Sequence, residues 1–254
     1  MTAPLTRWIA RAAVLLCLAA PAARAEPSPF QPGEELEYGI DFLGIRTAEG
    51  RISVGRPEGA VWPVMAQAQT DGIAKAIDIR QHWVSYWDAE ARVPRGNDLR
   101  AVEMGYRHAD RASFDRERGK ATVVVQRKDR RTEDVVDVPR DAQDVAGAIL
   151  WLRHQPMEVG RHLEVPVLTG TRVFTLTADV LGREAVSTPA GRFEAFKVQV
   201  RTGFSGKFST RRDTFIWFSS DARRVPVRVS ADFAVGSIVA TLTSYRPGGE
   251  LAQR

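Results

Sequence analysis

From Leu36 onward hydrophobic and polar residues alternate. Leu36, Tyr38, Ile40 and Phe42 fall on one side, with Glu35, Glu37 and Asp41 on the other, a period of two that predicts a strand with one wet face. Gly44 interrupts, and Ala48, Gly50, Ile52 and Val54 resume the dry side opposite Thr47, Glu49, Arg51 and Ser53, so the two segments predict a hairpin. Residues 83–87 (WVSYW) are aromatic and β-branched, which suits a strand. Residues 122–126 and 135–138 flank a charged turn at 128–131 and predict a second hairpin. Phe174, Leu176, Ala178 and Val180 share a face, as do Phe196, Val198 and Val200, with turn chemistry at residues 188–191 (TPAG) between them. Two more alternating rows follow, from Val225 to Phe233 and from Ile238 to Leu242.

One segment reads clearly as helix. Asp141 can cap it, Val145, Ile149 and Leu152 recur at helical spacing, and Pro156 stops it; residues 72–77 are a weaker candidate. One wet and one dry face per strand indicate antiparallel sheet. More than ten such strands must bury their apolar faces somewhere. The expected fold is therefore mainly β: a large antiparallel, strongly curved sheet or barrel, with one short helix packed on it or plugging it. No linker-like stretch divides the chain, so residues 26–254 are read as one domain.

Residues 1–25 have the parts of a secretory signal peptide. Arg7 and Arg11 precede a short apolar run from Ala12 to Ala20, and Ala23-Arg24-Ala25 offers a cleavage site. The run is far shorter than the roughly 20 residues that cross a bilayer, and Pro21 ends it. A lipid-modified Cys17 is the rival reading, but Leu16 stands where such processing wants a small residue. Cleavage removes Arg7, Arg11 and Arg24, so the formal charge falls from +5 by three, and with it goes the only cysteine. A cysteine-free mature chain suits an oxidising compartment, and the lost basicity removes the case for nucleic acid. The expectation is a periplasmic protein without a transmembrane segment in its mature part.

The residues also resemble a known family. Residues 30–38 (FQPGEELEY), the helical stretch 144–153 followed by 156–160 (PMEVG), 182–184 (GRE) leading into 189–193 (PAGRF), 217–221 (WFSSD) into 224–227 (RVPV), and 235–242 (VGSIVATL) are similar to the bacterial DUF3108 family. The resemblance runs in order along nearly all of the mature chain and is weakest over residues 107–131. It implies an exported, β-rich envelope protein similar in shape to periplasmic carriers of lipids and lipoproteins. It brings no catalytic motif.

The chemistry-bearing residues add little. No G-x-S-x-G is present, and the four histidines show no metal-binding spacing. Glu34, Glu35 and Glu37 read as a solvated strand face, and the resemblance places Glu184 in an otherwise apolar C-terminal region. The reading is therefore a non-enzymatic protein with no catalytic residues, metal or cofactor. Residues 201–228 are different: Arg201, Lys207, Arg211 and Arg212 interleave with Phe204, Phe208, Phe215, Trp217 and Phe218. The plainer account is a wet strand face over an aromatic core. The functional account makes the aromatics a surface for an apolar ligand or partner and the cations contacts for anionic groups, with a lipid or an envelope protein as partner and peripheral membrane contact. A carrier of an apolar or amphipathic envelope component leads; an envelope scaffold with a packed barrel, or an unrecognised hydrolase, are the alternatives. Intact mass of the exported protein is expected to begin at Glu26; a mass that retains residues 1–25, or lipid on Cys17, contradicts this reading.

Overall fold

A computed structural model describes residues 28–202, 214–233 and 236–249; residues 1–25, read from the sequence as an export signal, and Cys17 among them lie outside the described residues. Fourteen strands follow one another: β1 Glu35–Phe42, β2 Ile45–Val54, β3 Val61–Thr70, β4 Ile79–Asp88, β5 Val93–Glu103, β6 Tyr106–Asp115, β7 Lys120–Arg127 and β8 Arg130–Asp137, then helix α1 Val145–His154, then β9 His162–Thr169, β10 Arg172–Thr188, β11 Gly191–Thr202, β12 Thr214–Ser219, β13 Pro226–Phe233 and β14 Gly236–Arg246. The weaker helical candidate is a 3-10 turn, Gly72–Ile77, between β3 and β4.

All the strands belong to one antiparallel sheet in which neighbours in sequence pair everywhere except across α1, and β1 pairs with β14 in the middle. The sheet's two ends are thus β8 and β9, the strands on either side of α1. They do not pair, yet Phe114, Ala121 and Val123 from one end share a cluster with Leu168 and Val173 from the other. Only a strongly curved sheet brings those residues together. Residues 138–143 strap the gap. Val138 N–H donates to Gly119, Gln143 N–H donates to Pro166, and Leu168 N–H donates back to Gln143. Pro166 has no N–H to leave unpaired, which fits it to an edge strand. The Arg116 guanidinium reinforces the strap by donating to the carbonyls of Pro94, Arg140 and Ala142.

The helix lies inside the curl. Its N-cap is Asp144, whose carboxylate accepts from Gly147 N–H at 2.6 Å, and not Asp141 as the pattern suggested. The earlier acid is too far upstream because Gln143, which lies between it and the helix, is engaged with β9. Ala148 and Leu152 join Val165, Val180, Val198 and Phe218 in the largest core cluster, with Ile149 and Trp151 against it. The strand 214–219 is covered on both sides. Ile216 and Phe218 face the helix cluster, while Trp217 turns the other way, under Val186 and Phe193 of the β10–β11 hairpin, and donates its indole N–H to Glu184.

Glu34 departs from the expected solvated face. It is 1% exposed and holds Arg153, 3% exposed, through two hydrogen bonds of 2.7 and 2.8 Å. Arg153 also donates to Pro29 and Arg223 carbonyls, and Tyr245 O–H donates to Glu34. Paired and fully hydrogen-bonded, both charges are tolerable in the interior; alone, neither is. Arg153→Met is therefore expected to cost about 3–5 kcal/mol by stranding the Glu34 carboxylate. Glu34→Gln combined with Arg153→Met should cost clearly less, measured by chemical denaturation. Equal losses in the single and double variants would contradict this account.

Candidate functional site: a lumen between the helix and the first five strands

The strand registers stack inward-facing residues into rows. At the end nearest the helix N-terminus Val64, Ser85, Asn97 and Ala112 form one row. The next is Leu36, Ile52, Ala66, Trp83 and Leu99, and the one beyond is Tyr38, Gly50, Ala68, Gln81, Ala101 and His108. Many of these side chains are small, and the helix does not reach them all. Two spaces result.

The deeper space, about 220 Å³, lies between the Leu36–Leu99 row and the face of α1 that carries Val145, Ala146, Ile149 and Leu150. The outer one, about 1140 Å³, is centred on the Tyr38–His108 row and extends to Arg46, Lys128 and Asp129 in the turns. Gln67, Ala68 and Gln81 border both, so the two lie side by side. Their scale spans that of small-molecule sites, roughly 300–1,000 Å³. Gly50, Ala68 and Ala101 leave strand backbone bare, so Arg51, Arg80, Arg100 and Arg107 also border the outer space; alternation turns their side chains outward. Outside, Arg51 pairs with Glu35, and Arg80 with Asp78.

The lumen has a polarity gradient. Its floor is mainly aliphatic, with Trp83, whose indole N–H has no partner, and with Gln67, Gln81 and the buried Arg153 also on its lining. Towards the mouth, Gln81 donates to Glu103 at 3.1 Å and Arg127 pairs with Asp110. The ring of Tyr106 lies near that of His108, whose Nδ1 has no partner. Such a surface suits a molecule with an apolar end and a hydrogen-bonding end. Among the described residues no group of acids, histidines or cysteines is placed to hold a metal ion.

Under the floor the helix N-terminus is held by buried polar groups. Burial pushes the Asp144 carboxyl up to about 6, against hydrogen bonding from Gly147, Ser85 and Asn97 and the nearby charge of Arg116. Its Oδ2 lies buried without a well-formed hydrogen bond. Burial likewise holds Arg116 down, to about 10. At the other end of the helix His154 donates from Nδ1 to Leu150 and accepts from Ser28 at Nε2, and burial depresses its pKa to about 4. A carboxyl whose folded pKa is raised stabilises the fold fully below its unfolded value, and that contribution is lost as pH rises through the folded value. Asp144→Asn keeps an oxygen for Gly147 and removes the charge. It is expected to match the wild type near pH 3.5 and to exceed it by about 2–3 kcal/mol near pH 7.5, read from denaturation midpoints; a pH-independent difference would refute it.

The aromatic and basic stretch named from the sequence lies elsewhere. Phe204, Phe208, Lys207, Arg211 and Arg212 fall outside the described residues. Phe218 and Trp217 are buried in the two clusters above and Phe215 is half-buried beside Trp217. Arg201 is exposed on β11 and paired with Asp179. None of these four lines the lumen. The signal that sequence reasoning missed is the run Ala66-Gln67-Ala68 together with Gly50 and Ala101: dry-face positions too small to fill a core.

The fold has known parallels. A β-barrel-like protein of the domain of unknown function DUF1849 from Brucella abortus superposes with a TM-score of 0.60 at 10% identity, over 86% of this chain and 99% of that one. A structure from Bacteroides fragilis described as an exported protein with a YmcC-like fold aligns over 86% of this chain and 97% of its own, at 14% identity. Its TM-score of 0.37 is too low to carry an argument. No curated protein matches the chain. The pattern of a family described as proteins of unknown function, DUF3108, matches residues 35–243, and the chain belongs to that family.

Proposed function

We propose that the protein is an exported, non-enzymatic carrier that shelters an amphipathic envelope component in its lumen. The observation behind this reading is a mainly apolar floor lying beside a wide, more polar vestibule. An apolar chain on the floor gains from leaving water, while a polar head stays among Gln81, Glu103 and His108. The tripartite N-terminus supports export to the periplasm. The first five strands leave inward positions small where a protein needing only stability gains by filling them.

Native mass spectrometry after mild purification should show a co-purifying amphiphile, and a fluorescent long-chain fatty acid should bind the stripped protein. Ala66→Trp and Ala68→Trp, which fill the lumen, should each weaken that binding by about tenfold or more with the thermal midpoint little changed. A clean apo mass with no uptake of the probe would favour the envelope-scaffold reading.

A further inference from the structure

The floor of the lumen is a dead end of defined size. Val64 and Leu150 close its far end, and both are buried in the packed cluster that holds Phe30, Val54 and Trp87. Leu36 closes one flank from a second cluster, and Ile149 the other, against the core built on β9 to β12. Packed side chains therefore surround the floor, and an apolar group entering it can go no further. Arg153 on its lining offers nothing to a polar head. Its guanidinium is taken up by Glu34 and by the carbonyls of Pro29 and Arg223.

The size sets a limit on what fits. A space of about 220 Å³ takes about seven or eight groups of methylene size, at the ~30 Å³ that a water molecule occupies in the liquid. The span agrees. Along β3 the floor runs from Val64 to Ala68, roughly 13 Å at the rise of a strand, which is of the order of an extended octyl chain. Beyond Ala68 the surroundings change to bare backbone at Gly50 and Ala101, the amide of Gln81 and the ring of His108. A methylene lying there stays against polar groups and water, and gains little of the burial that the floor provides.

We propose that the floor measures the apolar group of its ligand: the lumen takes amphiphiles whose apolar part is short, about eight carbons when linear, and gives longer chains no comparable further gain. This specificity rests on the carrier reading and deepens it, setting the ligand class apart from full-length membrane acyl chains. A long chain still enters by its last carbons, so a long-chain fatty acid remains a usable reporter of occupancy.

Two series of single-chain amphiphiles test this, n-alkyl maltosides and n-alkyl phosphocholines from butyl to tetradecyl, each kept below the concentration at which it forms micelles. Displacement of the fluorescent fatty acid from the stripped protein gives the affinity of each. In both series affinity should rise about fourfold per methylene up to octyl, and by less than about 1.5-fold per methylene beyond it. Leu99→Ala removes three carbons from a half-buried residue of the floor and should move the break to about undecyl. Ala66→Leu adds three carbons there and should move it to about pentyl. Opposite shifts of the break are a readout that mere loss of stability does not produce, and either variant suffices should the other fail to fold. An unbroken rise to tetradecyl, a break that differs between the two head groups, or a break that stays in place in the folded variants overturns the proposal and leaves the carrier reading standing. If neither the fatty acid nor any alkyl chain binds, the carrier reading falls and the chain-length limit with it.

Discussion

A fourteen-stranded meander has more inner face than one ten-residue helix can cover, and this mismatch organises the whole molecule. Where α1 meets β9 to β12, the inward residues are Val, Leu, Ile and Phe, and the space closes into a packed core. Where it faces β1 to β5, they include Ala66, Ala68, Gly50 and Ala101, and the space stays open. The same helix is therefore core on one side and floor on the other. Leu152 is buried while Val145 is largely exposed, although both belong to one sequence pattern.

A short helix cannot hold such a position by its own stability. It is held by buried polar groups at its two ends. Near the N-terminus Asp144 caps the first turn beside Ser85 and Asn97, and at the C-terminus Arg153 is locked to Glu34, Pro29 and Arg223. Buried charge is a costly way to gain stability. It is an effective way to define one orientation, because turning the helix would leave each group without its partners.

The fold was readable because it rests on period-two alternation and turn residues, which are local. The hairpins at Gly44 and at residues 188–191, the single helix and the 3-10 turn all appear where the pattern puts them. The cap moved from Asp141 to Asp144 because residues 138–143 serve as the strap, a role set by distant β9. Glu34 was misread for a related reason: a charge next to Glu35 looks solvated until Arg153, far along the chain, arrives to bury it. The lumen was hardest to see. Alternation reports which way a side chain points, not whether anything stands opposite it, and aromatic residues drew the eye to Trp217 and Phe218, which fill space. The informative residues were the ones that leave it empty.

The β1–β14 ladder has a consequence for how the chain acquires its shape. Every other pairing joins neighbours in sequence and needs only a short loop to close, but Glu35 meets Arg246 across 211 residues. Forming that ladder carries the largest loop-closure entropy in the molecule, and contacts of this kind slow folding. The Glu34–Arg153 pair and the Tyr245 contact to Glu34 also wait for remote segments. A polypeptide emerging from its N-terminus can thus form hairpins early, yet it cannot join its two halves until its last strand is available. Completion of the central seam therefore waits for the last strand, whatever the order in which the hairpins form.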